Sequence, residues 1–277
     1  MEKRPEEPAS LAVRRYAQRV ITVSRLSVTP VKGLALHHPD EVTLTARGVE
    51  ENRRFYLVDR AGFLFSGIDH GPLCRVRPTY DPATEHLSLE LPDGRIVEGS
   101  ALADGEHVDT DFYGRRVTGR VVEGSHAEAL SDYVGKPLRL VRVDHPGNAC
   151  DVRTLTFLSE ASVDELRRRA DRDEAVDERR FRMLVALAGC RAHEEDEWDG
   201  AEMLIGEAVV RVGGPVPRCA TTTRDPETGE RDFDALRSIK AYRGLRSGKH
   251  IDFGVYGEVQ RPGRVHVGDT VTVEKEG

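Results

Sequence analysis

"HLSLELPDGRIVEG", residues 86–99, decides the fold class. Two short β-type runs flank Asp93-Gly94, a pair that suits a tight hairpin turn. On the N-terminal side, "VITVSRLSVTPV" (20–31) and "RRFYLVDRAGFLF" (53–65) carry the β-branched and aromatic residues that favour strands, the second with "RAG" as a turn. "GRRVTGRVVEG" (114–124) continues in the same style. No segment of helical period interrupts residues 20 to about 122, which predicts an all-β barrel or sandwich.

After this stretch the pattern changes. "HAEALSDYVG" (126–135) predicts a short helix ended by Gly135, and "KPLRLVRV" (136–143) a further strand. "FLSEASVDELRRRADRDEAVDERRF" (157–181) predicts an amphipathic helix with Val163, Leu166 and Ala170 on one face. Ser162 with Glu165 forms its capping box, and Ser159 is a rival cap. Strands follow at "FRMLVALAG" (181–189), "AEMLIGEAVVRVGG" (201–214) and "RVHVGDTVTVEK" (264–275), with a helix at "DFDALRSIKAYRG" (232–244). The fold class is mainly β with some α. Its expected parts are a disordered tail over 1–19, a β domain over 20–130 and a second domain over 131–277.

Composition excludes several functions. A hydrophobic content of 38% with 32% charged residues fits an ordinary globular chain. No apolar run approaches the ~20 residues of a membrane span, and the opening residues hold no signal-peptide core. The net charge of -7 argues against nucleic acid, so any anionic ligand needs a local cluster of cations. Cys74, Cys150, Cys190 and Cys219 lie far apart with no zinc or disulfide spacing, which suggests a reducing compartment, the cytoplasm. His37, His38, His126, His145, His193 and His250 show no metal-ligand spacing. There is no Ser/His/Asp signature, P-loop or GxGxxG.

"GGPVPRCATTTRDPETGERD" (213–232) places one thiol at the mouth of a turn. Free cysteines are more often buried and inert, as expected for Cys150 and Cys190. A thiol in a polar turn beside Arg218 is instead a nucleophile or a soft metal ligand, and on spacing alone both readings of Cys219 stay open. Thr221, Thr222 and Thr223 add hydroxyls, or are simply strand. "TPVKG" (29–33) and "RGVEENRRF" (47–55) set cations at strand ends, where Arg forks could clamp phosphate or simply meet solvent. "HEEDEW" (193–198) reads as a solvated acidic loop.

Taken in order, these segments resemble the MOSC family, associated with molybdenum-cofactor sulfuration and amidoxime reduction. "VPRCATTTRDPETGERD" looks like that family's signature around its metal-binding cysteine, with Val216 where the first signature cysteine usually stands. "VTPVKGLALHHPDEVTLTARGVEENRRFYLVD" is similar to the β-barrel domain that precedes MOSC. "LSEAS", "RFRMLVALAG", "EEDEW" and "GRVHVGDTVTV" match further stations. The resemblance covers nearly the whole chain after the tail, and implies an N-terminal β-barrel domain followed by a MOSC β-barrel domain with flanking helices.

It also implies a molybdenum cofactor (molybdopterin), with Cys219 as the metal ligand and catalytic residue. The cofactor's dithiolene would supply the other two sulfurs, which accounts for a single thiol. Lys32, Gly33, Arg53 and Arg54 fall where the family holds the cofactor's phosphate. Ser159, Ser162 and Arg182 fall where it holds the pterin or its tail, with Arg218, Thr221 and Thr222 beside the metal. Departures are Asn52 for an Asp, Gly33 for a Ser, and Met183-Leu184 for Pro-Asn. The implied activity is reduction of N-oxygenated small molecules, such as hydroxylamines or amidoximes, using a separate ferredoxin-type or flavoprotein electron donor. The rival implication is a non-redox cofactor or sulfur carrier with Cys219 as persulfide acceptor. The family is also credited with pyridoxal phosphate binding, for which the chain holds no separate motif.

Overall fold

Period-two burial builds the molecule. In Glu202–Ile205, for example, Met203 and Ile205 point inward while Glu202 and Leu204 face out. The computed structural model describes residues 19–274, so the tail expected over 1–19 lies outside the described residues but for its last position. Seven strands close a barrel in the order Ile21–Leu26, Val185–Ala188, Leu155–Ser159, Asp252–Arg261, Ala208–Pro217, Glu202–Ile205, Thr270–Glu274. Val23, Leu26, Phe157, Leu187, Met203, Val210 and Val255 fill its interior. Each such burial contributes about 1.5–3 kcal/mol.

A five-stranded sheet runs Leu64–Phe65, Phe55–Asp59, Leu138–Val143, Arg115–Val122, His107–Phe112. The predicted hairpin is present, with His86–Glu90 paired to Ile96–Ser100 and Gly94 at φ 85° in the turn. The sheets do not divide at one point in the chain. Ile21–Leu26 completes the barrel formed by the C-terminal half, and Leu138–Val143 returns to pair with Phe55–Asp59 and Arg115–Val122.

Among the described residues three α-helices pack on these sheets: α1 (Ser125–Val134), α2 (Glu160–Arg169) and α3 (Ala235–Arg243). Gly135 caps α1 in the left-handed region at φ 73°, as its sequence predicts. The cap of α2 differs from the expected Ser162–Glu165 box. Ser159 is the N-cap, its Oγ accepting from the Ser162 N–H at 3.2 Å, because the Ser162 hydroxyl is turned inward to Glu195. Val163 and Leu166 are buried as the helical period requires. No described helix is long and apolar enough to cross a membrane.

Candidate active site

Lys32 follows a one-residue bridge between Val31 and Phe55, its N–H donating to the Phe55 carbonyl. The Thr29 N–H in the same loop donates to Oδ1 of buried Asn52, so Asn52 holds the loop that presents the lysine. Gly33 turns away at φ 93°, where an added Cβ would press to 3.3 Å from the Gly67 nitrogen. Lys32 Nζ is buried, 2.6 Å from Asp151 Oδ1 and 3.3 Å from the Ala149 carbonyl. Burial lowers the lysine's pKa, against the raising effect of Asp151. Burial alone would raise Asp151, but Lys32 and Arg53 outweigh it and hold the carboxyl at about 2.

Arg53 and Arg182 both adopt left-handed backbone, at φ 53° and 52°, a conformation costly for a residue with a Cβ. Each is pinned by its neighbours. The Arg53 N–H donates to the Thr29 carbonyl at 2.6 Å, and its Nη2 donates to the Arg182 carbonyl at 3.2 Å. Arg182 Nη2 donates to the Leu34 carbonyl at 2.7 Å. Burial and the nearby Arg53 lower Arg182 to about 10. Arg218 donates to the Phe181 carbonyl and the Met183 sulfur, while its buried Nε has no partner. Arg182 and Arg218 are thus held by neutral acceptors that orient the guanidinium without cancelling its charge.

These groups line a cavity of about 600 Å³ between the barrel and the five-stranded sheet. Eight arginines and Lys32 line it. Arg153, Arg179 and Arg180 are paired with Glu258, Asp177 and Glu227, and Asp232, and Lys32 and Arg53 share Asp151. That leaves Arg115, Arg182, Arg218 and Arg224 as the local surplus in a chain of net charge -7. Cys219 stands at its wall with an exposed thiol, at the N-terminus of a 3-10 turn over Ala220–Thr223. The threonine run is therefore this turn, not the strand of the plainer reading. The Cys219 carbonyl accepts from the Thr222 N–H and hydroxyl, which closes the turn directly after the thiol.

The loop carrying Cys219 is fixed to the opposite wall by backbone contact. A Cβ on Gly71 would lie 2.0 Å from the Gly229 carbonyl oxygen, and one on Gly229 would lie 2.3 Å from the Gly71 carbonyl carbon. Arg224 completes the seam, donating to the Gly229 and Ile68 carbonyls. Only glycines permit this approach.

Of the residues singled out from the sequence, Lys32, Gly33, Arg53, Arg182, Arg218, Cys219 and Thr221 come together around this cavity. Arg54, Ser159, Ser162 and Thr222 do not line it. Arg54 stands between the turn at Arg53, where the backbone is left-handed, and the strand Phe55–Asp59, and it donates to the Val143 carbonyl instead. Ser159 and Ser162 are sealed, with both hydroxyls on the Glu195 carboxylate. Glu195 sits in the run expected to be a solvated loop, which is a 3-10 turn over Glu194–Trp198 with Glu195 and Trp198 buried. Cys150 and Cys190 are buried as expected, whereas Cys74 lines the cavity with Cys219. Asp151 was not foreseen either: it lies 119 positions from the lysine it pairs with, and no local motif marks it.

Residues 20–137 match the MOSC N-terminal beta barrel domain and residues 144–272 the MOSC domain. The chain is a two-domain MOSC protein. It is 29% identical to mitochondrial amidoxime reducing component 2 of Bos taurus and 27% identical to mitochondrial amidoxime-reducing component 1 of Homo sapiens, covering 93% of this chain and 84% of each relative. It is also 27% identical to the molybdenum cofactor sulfurase of Drosophila melanogaster, over 84% of this chain but 31% of that protein. In this MOSC protein the departure at Met183-Leu184 is divided in space. Met183 lines the cavity, while Leu184 packs into the barrel core.

Proposed function

We propose that this MOSC protein binds a molybdenum cofactor in the 600 Å³ cavity and reduces N-oxygenated small molecules there. The observation that carries the proposal is an exposed soft thiol, Cys219, on the wall of a cavity whose cations far outnumber its carboxylates. The donor set fits the group. A thiolate is a ligand of the right softness, and unneutralised guanidiniums fit the anionic tail of a pyranopterin phosphate. Among the described residues no three His, Cys, Asp or Glu side chains are placed to hold a metal together, so the remaining ligands would come from the cofactor.

When bound, the cofactor supplies two-electron chemistry that accepts an oxygen atom. The chain's own residues bind and orient. Arg182 and Arg218, fixed by carbonyls and a thioether, offer N–H groups to phosphate oxygens, with Lys32 and Arg53 adding charge shared with Asp151. Cys219 offers its sulfur and Thr221 lines the wall beside it. Substrate enters from the solvent side on which the thiol is exposed. Electrons come from a separate ferredoxin-type or flavoprotein donor, and the free thiols suit a reducing compartment such as the cytoplasm. Protein purified from a cofactor-competent host should carry molybdenum and reduce a hydroxylamine with a supplied electron donor. Preparations without metal and without turnover would sink the reading.

The same exposed thiol favours a second reading, a sulfur carrier with a persulfide on Cys219. Mass spectrometry after alkylation would then find sulfane sulfur on Cys219 and no turnover. Sulfur loading that survives Cys219→Ser would exclude it.

A further inference from the structure

The loop from Cys219 to Asp232 is held from beneath by one buried side chain, Arg180, only 4% exposed. Its Nη1 donates to the Thr222 and Arg224 carbonyls, each at 3.2 Å, on the limb leaving Cys219. The same guanidinium grips Asp232 on the returning limb with two bonds, Nη1 to Oδ1 at 3.1 Å and Nη2 to Oδ2 at 2.9 Å. Backbone bonds tie the limbs together: Asp225 N–H to the Glu230 carbonyl and Asp232 N–H to the Thr223 carbonyl. Arg180 thus closes the base of a loop whose first residue is the candidate ligand.

Charge and shape make an arginine necessary here. Two carbonyls and both carboxylate oxygens surround the terminal nitrogens of one planar group, with Nη1 sharing its two hydrogens among three acceptors and the buried Nε left without a partner. A guanidinium fork meets both limbs in that geometry. Its face lies over the Phe233 ring, 5.4 Å from the centroid. The strut stands in the 3-10 turn Glu178–Phe181, two residues before Arg182, and the adjacent Arg179 pairs with Glu227 near the loop tip at 3.0 Å. One short turn therefore grips the thiol loop at base and tip and leads directly into a cavity arginine.

We propose that Arg180 is a positioning residue for Cys219, acting through the Thr222 and Arg224 carbonyls and Asp232 to fix where the thiol meets a bound metal. The proposal builds on the function inferred above but is testable without it. Arg180 lies on the loop side of the cavity, so its loss leaves Arg53, Arg182 and Arg218 in place to hold an anion. Its effect should fall on the geometry at sulfur and not on retention of the ligand's tail.

The test begins with cofactor-free full-length protein. In Arg180→Met, amide hydrogen exchange at Thr222, Arg224, Asp225 and Asp232 should quicken at least tenfold, with barrel amides unchanged. Arg180→Lys, which keeps the charge but loses the fork, should fall between, and Asp232→Asn, at a one-third-exposed carboxylate, should loosen mainly Asp232. Unchanged loop exchange in Arg180→Met would overturn the proposal whatever the protein's activity. If Arg180→Met does not fold, the Lys and Asn variants decide by the same exchange pattern. In loaded protein the proposal expects kcat to fall at least tenfold in Arg180→Met, with KM and molybdenum content within twofold and partial recovery in Arg180→Lys. A fall in molybdenum content with kcat per metal unchanged would show that Arg180 serves retention alone.

Discussion

Two buried polar clusters contain residues that the sequence assigned to a cofactor. One is the cavity floor, where Lys32, Arg53, Arg182 and Arg218 bring more donors than the protein supplies anionic acceptors. The other is the knot of Ser159, Ser162 and Glu195, in which the Ser159 N–H and both serine hydroxyls end on one carboxylate. Each is buried and hydrogen-bonded, yet only the first leaves a surplus of charge facing a void. Burial of polar groups alone marks either structure or function; the sign of the uncancelled charge separates them.

The largest effect should come from breaking the knot. Glu195→Ala takes the acceptor from the Ser159 N–H, leaves the two hydroxyls only each other as acceptors at 2.7 Å, and opens a void. It should cost about 4 kcal/mol of stability, since a buried unsatisfied group costs about 1–3 kcal/mol and a cavity adds to it. Denaturant unfolding measures it. Affinity for inorganic pyrophosphate should stay within twofold, and a large loss of that affinity would erase the contrast between the clusters.

Gly229→Ala tests the seam between the cavity walls. At φ 79° and 2.3 Å from the Gly71 carbonyl carbon, an added methyl should cost about 3 kcal/mol through strain and overpacking. Here stability and pyrophosphate affinity should fall together, since the cavity is built across this contact.

Arg182→Gln tests the floor from the other side. Losing one charge-assisted bond should weaken pyrophosphate binding about tenfold by calorimetry, with little change in the unfolding midpoint. An unchanged affinity would mean that the cationic excess serves no anion.

The last contrast is in pH. Burial, with Arg243 adding repulsion, lowers His193 beside the knot from 6.5 to about 4. The unfolded chain therefore takes up a proton first, and stability should drain as pH falls from about 6.5 to about 4, then level. His193→Gln should flatten that part of the profile. Asp151 behaves differently: depressed from 3.8 to about 2, it stabilises above the upper value and loses that contribution only as pH falls through the lower. Between pH 6.5 and 4 the knot should respond and the floor should not, which thermal melts of the wild type and of His193→Gln across that range can compare.

Local patterns carried the fold well. Alternation, the Asp93-Gly94 turn and the Gly135 cap each act within a few residues, so they are legible along the chain. The signature around Cys219 and the cations at Lys32 and Arg53 were legible for the same reason. What escaped was set by distant partners. Ser162 looked like a cap because nothing nearby shows that Glu195, 33 positions on, takes its hydroxyl. Arg54 looked equivalent to Arg53, but the left-handed turn at Arg53 gives the two side chains different partners, Arg182 and Val143. Asp151 and Arg180 meet their partners only when remote loops come together.

The central claim is a bond between the sulfur of residue 219 and molybdenum, and X-ray absorption at the molybdenum edge measures it directly. Wild-type protein should show one more sulfur neighbour than Cys219→Ser, with the sulfurs donated by the cofactor unchanged. An identical sulfur shell in the two proteins would contradict the account.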